Sequence, residues 1–168
     1  MNTTKLIIRV LLCACFCHVS TLEAQSKKKI KKFNIHTCMV TEQKGSATIT
    51  VSKSVYTQNG LLSEEYTYNN QGLLESLKKF SYNAKGNPLM ERKFDSQNRL
   101  VETKTFKYNA ANQKTEELTF DEKFKMKKRE VFSYDTKGLK KEKKTFNDKN
   151  SLVSVKKYIY TMDEALDK

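Results

Sequence analysis

The sequence predicts an all-β protein, an antiparallel β-meander built from 26-residue hairpin repeats. The first observation is a series of eight tight-turn segments. They begin at residues 57, 69, 83, 95, 109, 121, 135 and 147, so their spacing alternates strictly between 12 and 14 residues. The second is that only 8 or 10 residues separate successive turns, which is too short for stable helices but suits strands. We expect a curved or largely single-layer sheet.

The third observation is the composition of the turns. Seven of the eight begin with Asn or Asp, and seven end with Gly or Asn. An Asx side chain accepts hydrogen bonds from the turn backbone, and Gly or Asn tolerates a positive φ, as in a type I turn closed by a left-handed residue. The predicted four-residue loops are 57–60, 69–72, 83–86, 95–98, 109–112, 121–124, 135–138 and 147–150. Phe124 departs from the pattern at the last position of its loop, and Thr57 at the first position of its own.

The N-terminal residues 1–24 predict a secretory signal peptide. Lys5 and Arg9 precede an apolar stretch at 10–19, and small or polar residues then lead to Ala24, after which we expect cleavage. The apolar stretch is too short to span a membrane. The mature protein is therefore expected outside the cytoplasm, either secreted, periplasmic or on the outer surface.

A lipid anchor is the alternative that this segment leaves open. Leu12-Cys13-Ala14-Cys15 resembles a bacterial lipobox, which would place lipid on Cys15. Cleavage after Ala24 would instead leave Cys38 as the single cysteine, so no intramolecular disulfide would form.

The mature chain is short and strongly basic. Removing residues 1–24 leaves 144 of the 168 residues, and losing Lys5, Arg9 and Glu23 lowers the net charge from +13 to +12. This length fits one domain, while 30% charged residues and the absence of Trp argue against a thick core. Residues 25–32 contain five lysines and predict a flexible basic arm, which either binds a partner or acts only as a solubilising linker.

The β-repeat domain is predicted to span 33–160. Its first hairpin pairs 33–41 with 47–55 through a turn near 43–46, and odd-numbered apolar side chains such as Phe33, Met39 and Val51 share one face. Because the repeat aromatics are even-numbered, we expect a bulge or bend near 56–61. The last strand is predicted at 151–160, and 161–168 form a short tail.

The parity of the repeat predicts where its side chains lie. Since 12 and 14 are both even, we expect the aromatics before the loops to share one face. They are Tyr56, Tyr68, Tyr82, Phe94, Tyr108, Phe120, Tyr134 and Phe146, with Tyr160 continuing the series. Across alternate loops they face Leu74, Leu100, Met126 and Leu152 in one band, and Pro88, Lys114 and Lys140 in the other. Charges in the middle of this face exclude an ordinary sandwich, whose inner face is dry.

The repeat phrases resemble the tyrosine-aspartate repeats of bacterial Rhs proteins. The resemblance covers about 55–160 and is carried by Phe80-Ser81-Tyr82-Asn83-Ala84-Lys85-Gly86 and Phe132-Ser133-Tyr134-Asp135-Thr136-Lys137-Gly138. It implies a β-sheet strip on a secreted or surface protein. The chain lacks the toxin and core-cleavage segments of full Rhs proteins, and is similar instead to small secreted bacterial repeat proteins of unknown function.

The sequence contains little that predicts catalysis. Once the signal is removed His36 is the single histidine, and neither a phosphate-binding loop nor a Cys/His metal spacing occurs. We therefore predict no enzyme activity, no cofactor and no metal. A thiolate–imidazolium pair of His36 and Cys38, at i and i+2 of a strand, is the remaining enzymatic alternative.

Two binding hypotheses remain, and the ligand is either an unknown protein or an envelope polyanion. A basic aromatic edge would attract anionic glycans or lipopolysaccharide rather than nucleic acid; its residues are Tyr82, Tyr108, Lys114, Tyr134, Lys140 and Tyr160. The same residues also fit a purely structural role, in which lysine stems pack on tyrosine rings. A protein partner would instead add a strand to the edge formed by 151–160. The oligomeric state is left open.

Overall fold

The computed structural model describes residues 27–161, which form one ten-stranded antiparallel sheet. The strands are β1 (Thr37–Lys44), β2 (Ala47–Tyr56), β3 (Leu62–Tyr68), β4 (Leu74–Tyr82), β5 (Pro88–Asp95), β6 (Leu100–Tyr108), β7 (Lys114–Asp121), β8 (Met126–Tyr134), β9 (Lys140–Asn147) and β10 (Leu152–Lys157). Each strand pairs with its neighbours in the chain, and the sheet is open, ending at β1 and β10. The predicted fold class is confirmed.

Parts of the sequence predictions lie outside the described residues. These are the signal peptide at 1–24, the lipobox at Cys15, the first two residues of the basic arm and nearly all of the tail at 161–168. Within 27–161, no helix has the length and apolar character needed to cross a membrane.

All eight predicted loops are present with the predicted geometry. In each, the N–H of the fourth residue donates to the carbonyl of the first at 2.9–3.0 Å. The fourth residue has φ between 59° and 80°, including Phe124 at 59°. The leading Asx side chain accepts from the backbone, as Asn83 does from the N–H groups of Lys85 and Asn87, each at 3.0 Å. Local side-chain chemistry therefore determines where every strand from β2 to β10 begins or ends.

A β-bulge lies beside each loop, and these bulges contradict the prediction that the aromatics before the loops share one face. Tyr82 lies opposite Pro88, as expected, but the next pair is Ser81 with Met90, so one extra residue enters β5. An extra residue exchanges the faces of odd and even positions. Phe80 is consequently opposite Glu91 rather than an even-numbered residue. The expectation that all even-numbered aromatics share one face is wrong.

The aromatics instead alternate between the two faces. We call face A the one bearing Phe80, Phe106 and Phe132, and face B the one bearing Phe94, Phe120 and Phe146, as the register assigns them. Rim 1 is the strand end that carries loops 57–60, 83–86, 109–112 and 135–138; rim 2 carries the turn at 45–46 and the other four loops. The predicted lysine-and-tyrosine band lies on face A at rim 1. The apolar band of Leu74, Leu100, Met126 and Leu152 lies on face B at rim 2.

The two ends of the sheet differ in detail from the prediction. Strand β1 begins at Thr37 rather than residue 33, and β10 ends at Lys157 rather than residue 160. Residues 27–32, expected as a flexible arm, form a short helix, α1. Asn34 has φ 49° and donates its N–H to Lys31, while the N–H of Ile35 donates to Ile30. This is a Schellman cap, and it uses the residues predicted to begin β1.

Burial is spread thinly over both faces of the middle strands. Leu77 and Thr103 are buried on face B, and Phe132, Thr119 and Glu130 on face A. No described side chain falls below 2% exposure. The sheet is therefore a single layer without a dry interior, and α1 covers one corner of it through Ile30, which is 8% exposed.

Candidate functional site

Alternating aromatic rings and lysines form a ladder along rim 1 on face A. The loop bulges place Lys114 opposite Tyr108 and Lys140 opposite Tyr134, at the first position of β7 and β9. The Nζ of Lys114 lies 5.3 Å from the ring centroid of Phe106 and 4.8 Å from that of Phe132. The Nζ of Lys140 lies 5.2 Å from Phe132 and 5.4 Å from Tyr158. Each ammonium group is thus held between two rings.

Tyrosine hydroxyls form hydrogen bonds between strands along the same rim. Tyr82 donates to the carbonyl of Leu62 at 2.6 Å, and Tyr134 donates to that of Lys114 at 2.7 Å. The last bond of the series runs from Tyr160 to the carbonyl of Lys140 at 2.9 Å. Each accepting carbonyl belongs to the first residue of a strand, so the tyrosines tie the strand ends together and orient their rings along the rim.

Partial burial of the ladder changes the pKa of two of its tyrosines, Tyr108 and Tyr134. Burial raises the pKa of Tyr108, with smaller contributions from the charges of Glu117 and Tyr134. Lys114 forms an ion pair of 2.6 Å with Glu117. The structure therefore brings together five of the predicted site residues, with Tyr82 further along the same rim. Their lysines are engaged by rings and by a carboxylate, which agrees with the structural role; ligand binding by these residues stays a prediction.

Ion pairs occupy the middle of both faces. On face A, Glu130 accepts a hydrogen bond from Lys143 at 2.7 Å and lies 3.4 Å from Lys128. Burial alone would raise the pKa of Glu130, but the hydrogen bond from Lys143 and the charge of Lys128 hold it below its ordinary value. On face B, Glu116 contacts Lys107 at 2.7 Å and Arg129 at 3.3 Å. Apart from the contact of Lys128 with Glu130 inside β8, these pairs join neighbouring strands of the single-layer sheet.

The predicted alternative of a Cys/His pair falls at the outer end of the sheet. Cys38 is exposed on β1 opposite Ser54. His36 precedes β1, and its carbonyl accepts the N–H of Tyr56 at 2.9 Å. Within residues 27–161, no group of three or more His, Cys, Asp or Glu side chains is placed to hold a metal ion.

A second site, which sequence reasoning missed, lies at the β2 end of rim 1. A cavity of about 650 Å³ opens between α1 and the loops 57–60 and 83–86. We call it the lysine pocket; its lining is Lys27, Lys28, Lys31, Asn59, Leu61, Asn83, Ala84, Lys85 and Gly86. The signal that points to it is the sequence Phe33-Asn34-Ile35, whose Asn34 closes a helix and so brings the lysines onto the rim.

Comparisons with known proteins give no family for this chain. No protein-family model matches it, and no curated protein matches it. Among solved structures, it is similar to a protein of unknown function from Bacteroides fragilis, with 13% identity and a TM-score of 0.41, covering 76% of this chain and 96% of that one. A porin-like protein from Bacteroides uniformis has 14% identity and a TM-score of 0.40, with 70% of this chain and 48% of the other covered. These scores carry no argument about function.

Proposed function

We propose that the chain is a secreted or periplasmic, non-enzymatic β-repeat protein that acts as a binding or structural module at the bacterial cell envelope. The observation that carries the proposal is the open, single-layer sheet, which exposes two faces and two edge strands over ten strands. Ion pairs link neighbouring strands in the middle of this surface, as between Glu130 and Lys143. The resemblance to tyrosine-aspartate repeats, which form strips on secreted proteins, supports the same function.

The edge strand β10 is where this module would take a protein partner. All six residues of Leu152–Lys157 are exposed, and the apolar side chains of Val153 and Val155 are 63% and 42% exposed. An exposed edge presents unpaired backbone N–H and carbonyl groups that an incoming strand can use. Main-chain pairing would supply affinity, and the alternating valines would supply selectivity.

The experiment introduces charge at this edge and follows partner capture from envelope extract. We expect the mature protein to retain a partner at low and high salt, and V153K/V155K to lose it, because lysines on an edge strand oppose strand addition. The control is V101K, since Val101 is 41% exposed but lies in the central strand β6. Equal capture by the edge variant and the wild type would count against the proposal.

A second candidate function is binding of an envelope polyanion, an anionic glycan or lipopolysaccharide, at rim 1. The net charge of +12 expected for the chain without residues 1–24 and the lysines aligned along the ladder favour it. Retention on heparin or lipopolysaccharide should fall steeply with ionic strength, and K114Q/K140Q should elute at lower salt than K127Q/K156Q, which removes the same charge elsewhere. Identical elution of the two variants would leave only a nonspecific charge effect.

A further inference from the structure

We propose that the lysine pocket is a binding site for a phosphorylated saccharide. The proposal narrows the second candidate function to one defined cavity, and it rests on that function for the class of ligand. The argument uses the packing of α1 on the rim, the balance of charge in the cavity and the character of its lining.

The pocket is built by close packing of α1 on two glycine-closed loops. A methyl group placed on Gly60 would lie 2.8 Å from the carbonyl oxygen of Lys27 and 3.2 Å from the backbone nitrogen of Lys31. A methyl group on Gly86 would lie 2.9 Å from the Nζ of Lys27. The helix therefore touches the loops where they lack side chains, and Ile30 anchors it. This contact holds the lysines of α1 beside Lys85.

Charge in the pocket is unbalanced, because its lining contains lysines and no carboxylate. Elsewhere on the sheet several lysines have carboxylate partners, as in Lys78 with Glu65 at 3.0 Å and Lys143 with Glu130 at 2.7 Å, and Lys140 packs on aromatic rings. Within the described part of the chain, none of the pocket lysines forms an ion pair, and the lining contains no Asp or Glu; these lysines are Lys27, Lys28, Lys31 and Lys85. Four ammonium groups around one cavity repel each other, and a bound anion would relieve that repulsion.

The lining indicates a phosphate ester on a sugar rather than a bare ion. The volume of about 650 Å³ is that of a small-molecule site and exceeds what one phosphate group fills. Asn59 and Asn83 bring polar amides, and Leu61 and Ala84 bring apolar surface, so the cavity suits the mixed surface of a sugar ring. A phosphomonoester carries a charge of about −1.5 to −2 near neutral pH. Several lysines therefore bind it more strongly than they would bind a ligand with a single carboxylate. The lining contains no His, Cys or carboxylate, so the site fits binding rather than turnover.

The first experiment removes pocket charge and compares it with the same loss elsewhere. Calorimetric titration would use glucose 6-phosphate, glucose, inorganic phosphate and purified lipopolysaccharide as probes. We expect K28Q/K85Q to weaken glucose 6-phosphate binding by at least about tenfold, because charge-assisted contacts are lost. The control K123Q/K137Q removes two lysines at the third position of loops outside the pocket and should stay within about twofold. Equal weakening in both variants would overturn the proposal.

The second experiment disturbs the pocket without changing its charge. Gly45 and Gly60 have similar φ values, 62° and 73°, but a methyl group at Gly45 meets nothing within 4 Å. Both alanine variants carry the same backbone strain, and only G60A pushes α1 away from the loops. We expect G60A to lose glucose 6-phosphate binding and G45A to retain it. Binding by G60A equal to that by G45A would place the ligand elsewhere.

The probes separate this inference from the function on which it rests. Lipopolysaccharide binding that survives both K28Q/K85Q and G60A would keep the rim 1 function and reject the pocket. Binding of glucose 6-phosphate and lipopolysaccharide that is lost together would show that the pocket recognises the phosphorylated saccharide of the envelope polymer. Tight binding of inorganic phosphate with no gain from the sugar would reject the saccharide.

Discussion

Phe124 adopts a left-handed backbone conformation that a phenylalanine normally avoids, because the rest of its loop requires it. It closes the loop between β7 and β8 with φ 59°, a conformation that costs a bulky L-residue about 1–2 kcal/mol. Its ring is 61% exposed, so packing returns little of that cost. The rest of the loop compensates, since Asp121 accepts hydrogen bonds from the N–H groups of Lys123 and Lys125 at 3.0 and 2.9 Å.

Replacing Phe124 with glycine should stabilise the protein. We expect F124G to raise the free energy of unfolding by about 0.5–1 kcal/mol, because the strain at φ 59° is removed and only part of the gain is offset by chain entropy. Urea denaturation measures the change. F124A is the control, since it removes the ring and keeps the strained φ. A stabilisation by F124A equal to that by F124G would assign the effect to the exposed ring instead.

At the scale of an element, the ion pair of Glu130 with Lys143 joins β8 to β9 inside face A. Its distance is 2.7 Å, and the side chain of Glu130 is 10% exposed. The pKa of this carboxyl is lowered, so the stability it contributes is present above its unfolded-state value and is lost as pH falls through the lowered folded-state value.

The variant E130Q should test this pair through its pH dependence. At neutral pH we expect a loss of about 1–3 kcal/mol, because a buried charge-assisted bond is replaced by a neutral one. The difference from wild type should shrink as the pH falls through the lowered pKa of the wild-type carboxyl, which then becomes protonated. E122Q, in an exposed loop position, is the control and should match wild type throughout the pH range. A deficit of E130Q that is independent of pH would indicate a packing effect.

The sequence predicted the strands well because their limits depend on local chemistry. Asx and Gly residues mark each loop, and the pairs that follow from them, such as Tyr82 with Pro88 and Tyr108 with Lys114, are present. Counting parity failed because a bulge adds one residue without changing the loop composition. Helix α1 was missed because its stability comes from the cap at Asn34 and the burial of Ile30, which are tertiary as much as local.

Of the two candidate sites, one could be predicted from the sequence and the other could not. The ladder of rim 1 was predictable because Tyr134 and Lys140 flank one loop and must meet across it. The lysine pocket was not, since it requires α1 to fold back on loops 57–60 and 83–86. That contact is tertiary, and no periodicity in the sequence indicates it.

For the whole molecule, two consecutive bulges restore the original faces, so the structural unit is a hairpin of 26 residues. Deleting 83–108 joins Tyr82 directly to Asn109 and lets β4 take the place of β6. Leu77 would then face Phe120, and Phe80 would face Glu117, which are the partners that Thr103 and Phe106 have now. Every new pair across this junction is free of like charges.

We expect this deletion to leave a folded, eight-stranded sheet of lower stability. Contacts in a repeat array are made only with neighbouring units, so loss of one unit should lower the urea m-value without abolishing cooperative unfolding. Circular dichroism and urea titration would measure both. Deleting 83–94 instead removes a single strand and reverses the direction and the faces of all later strands, and this variant should not fold. A folded product from the second deletion would contradict the hairpin as the unit.

The strict chain order of the meander determines how the molecule would respond to a pulling force. Its first and last strands lie at opposite ends of the sheet, so tension on the two ends acts along the direction of the interstrand hydrogen bonds. The load then falls on one strand at a time, and strands peel away in succession rather than shearing together. Each released strand and its loop lengthen the chain by 12 or 14 residues of extensible tether. Held between two attachment points, such a sheet yields stepwise and recovers by closing one hairpin after another.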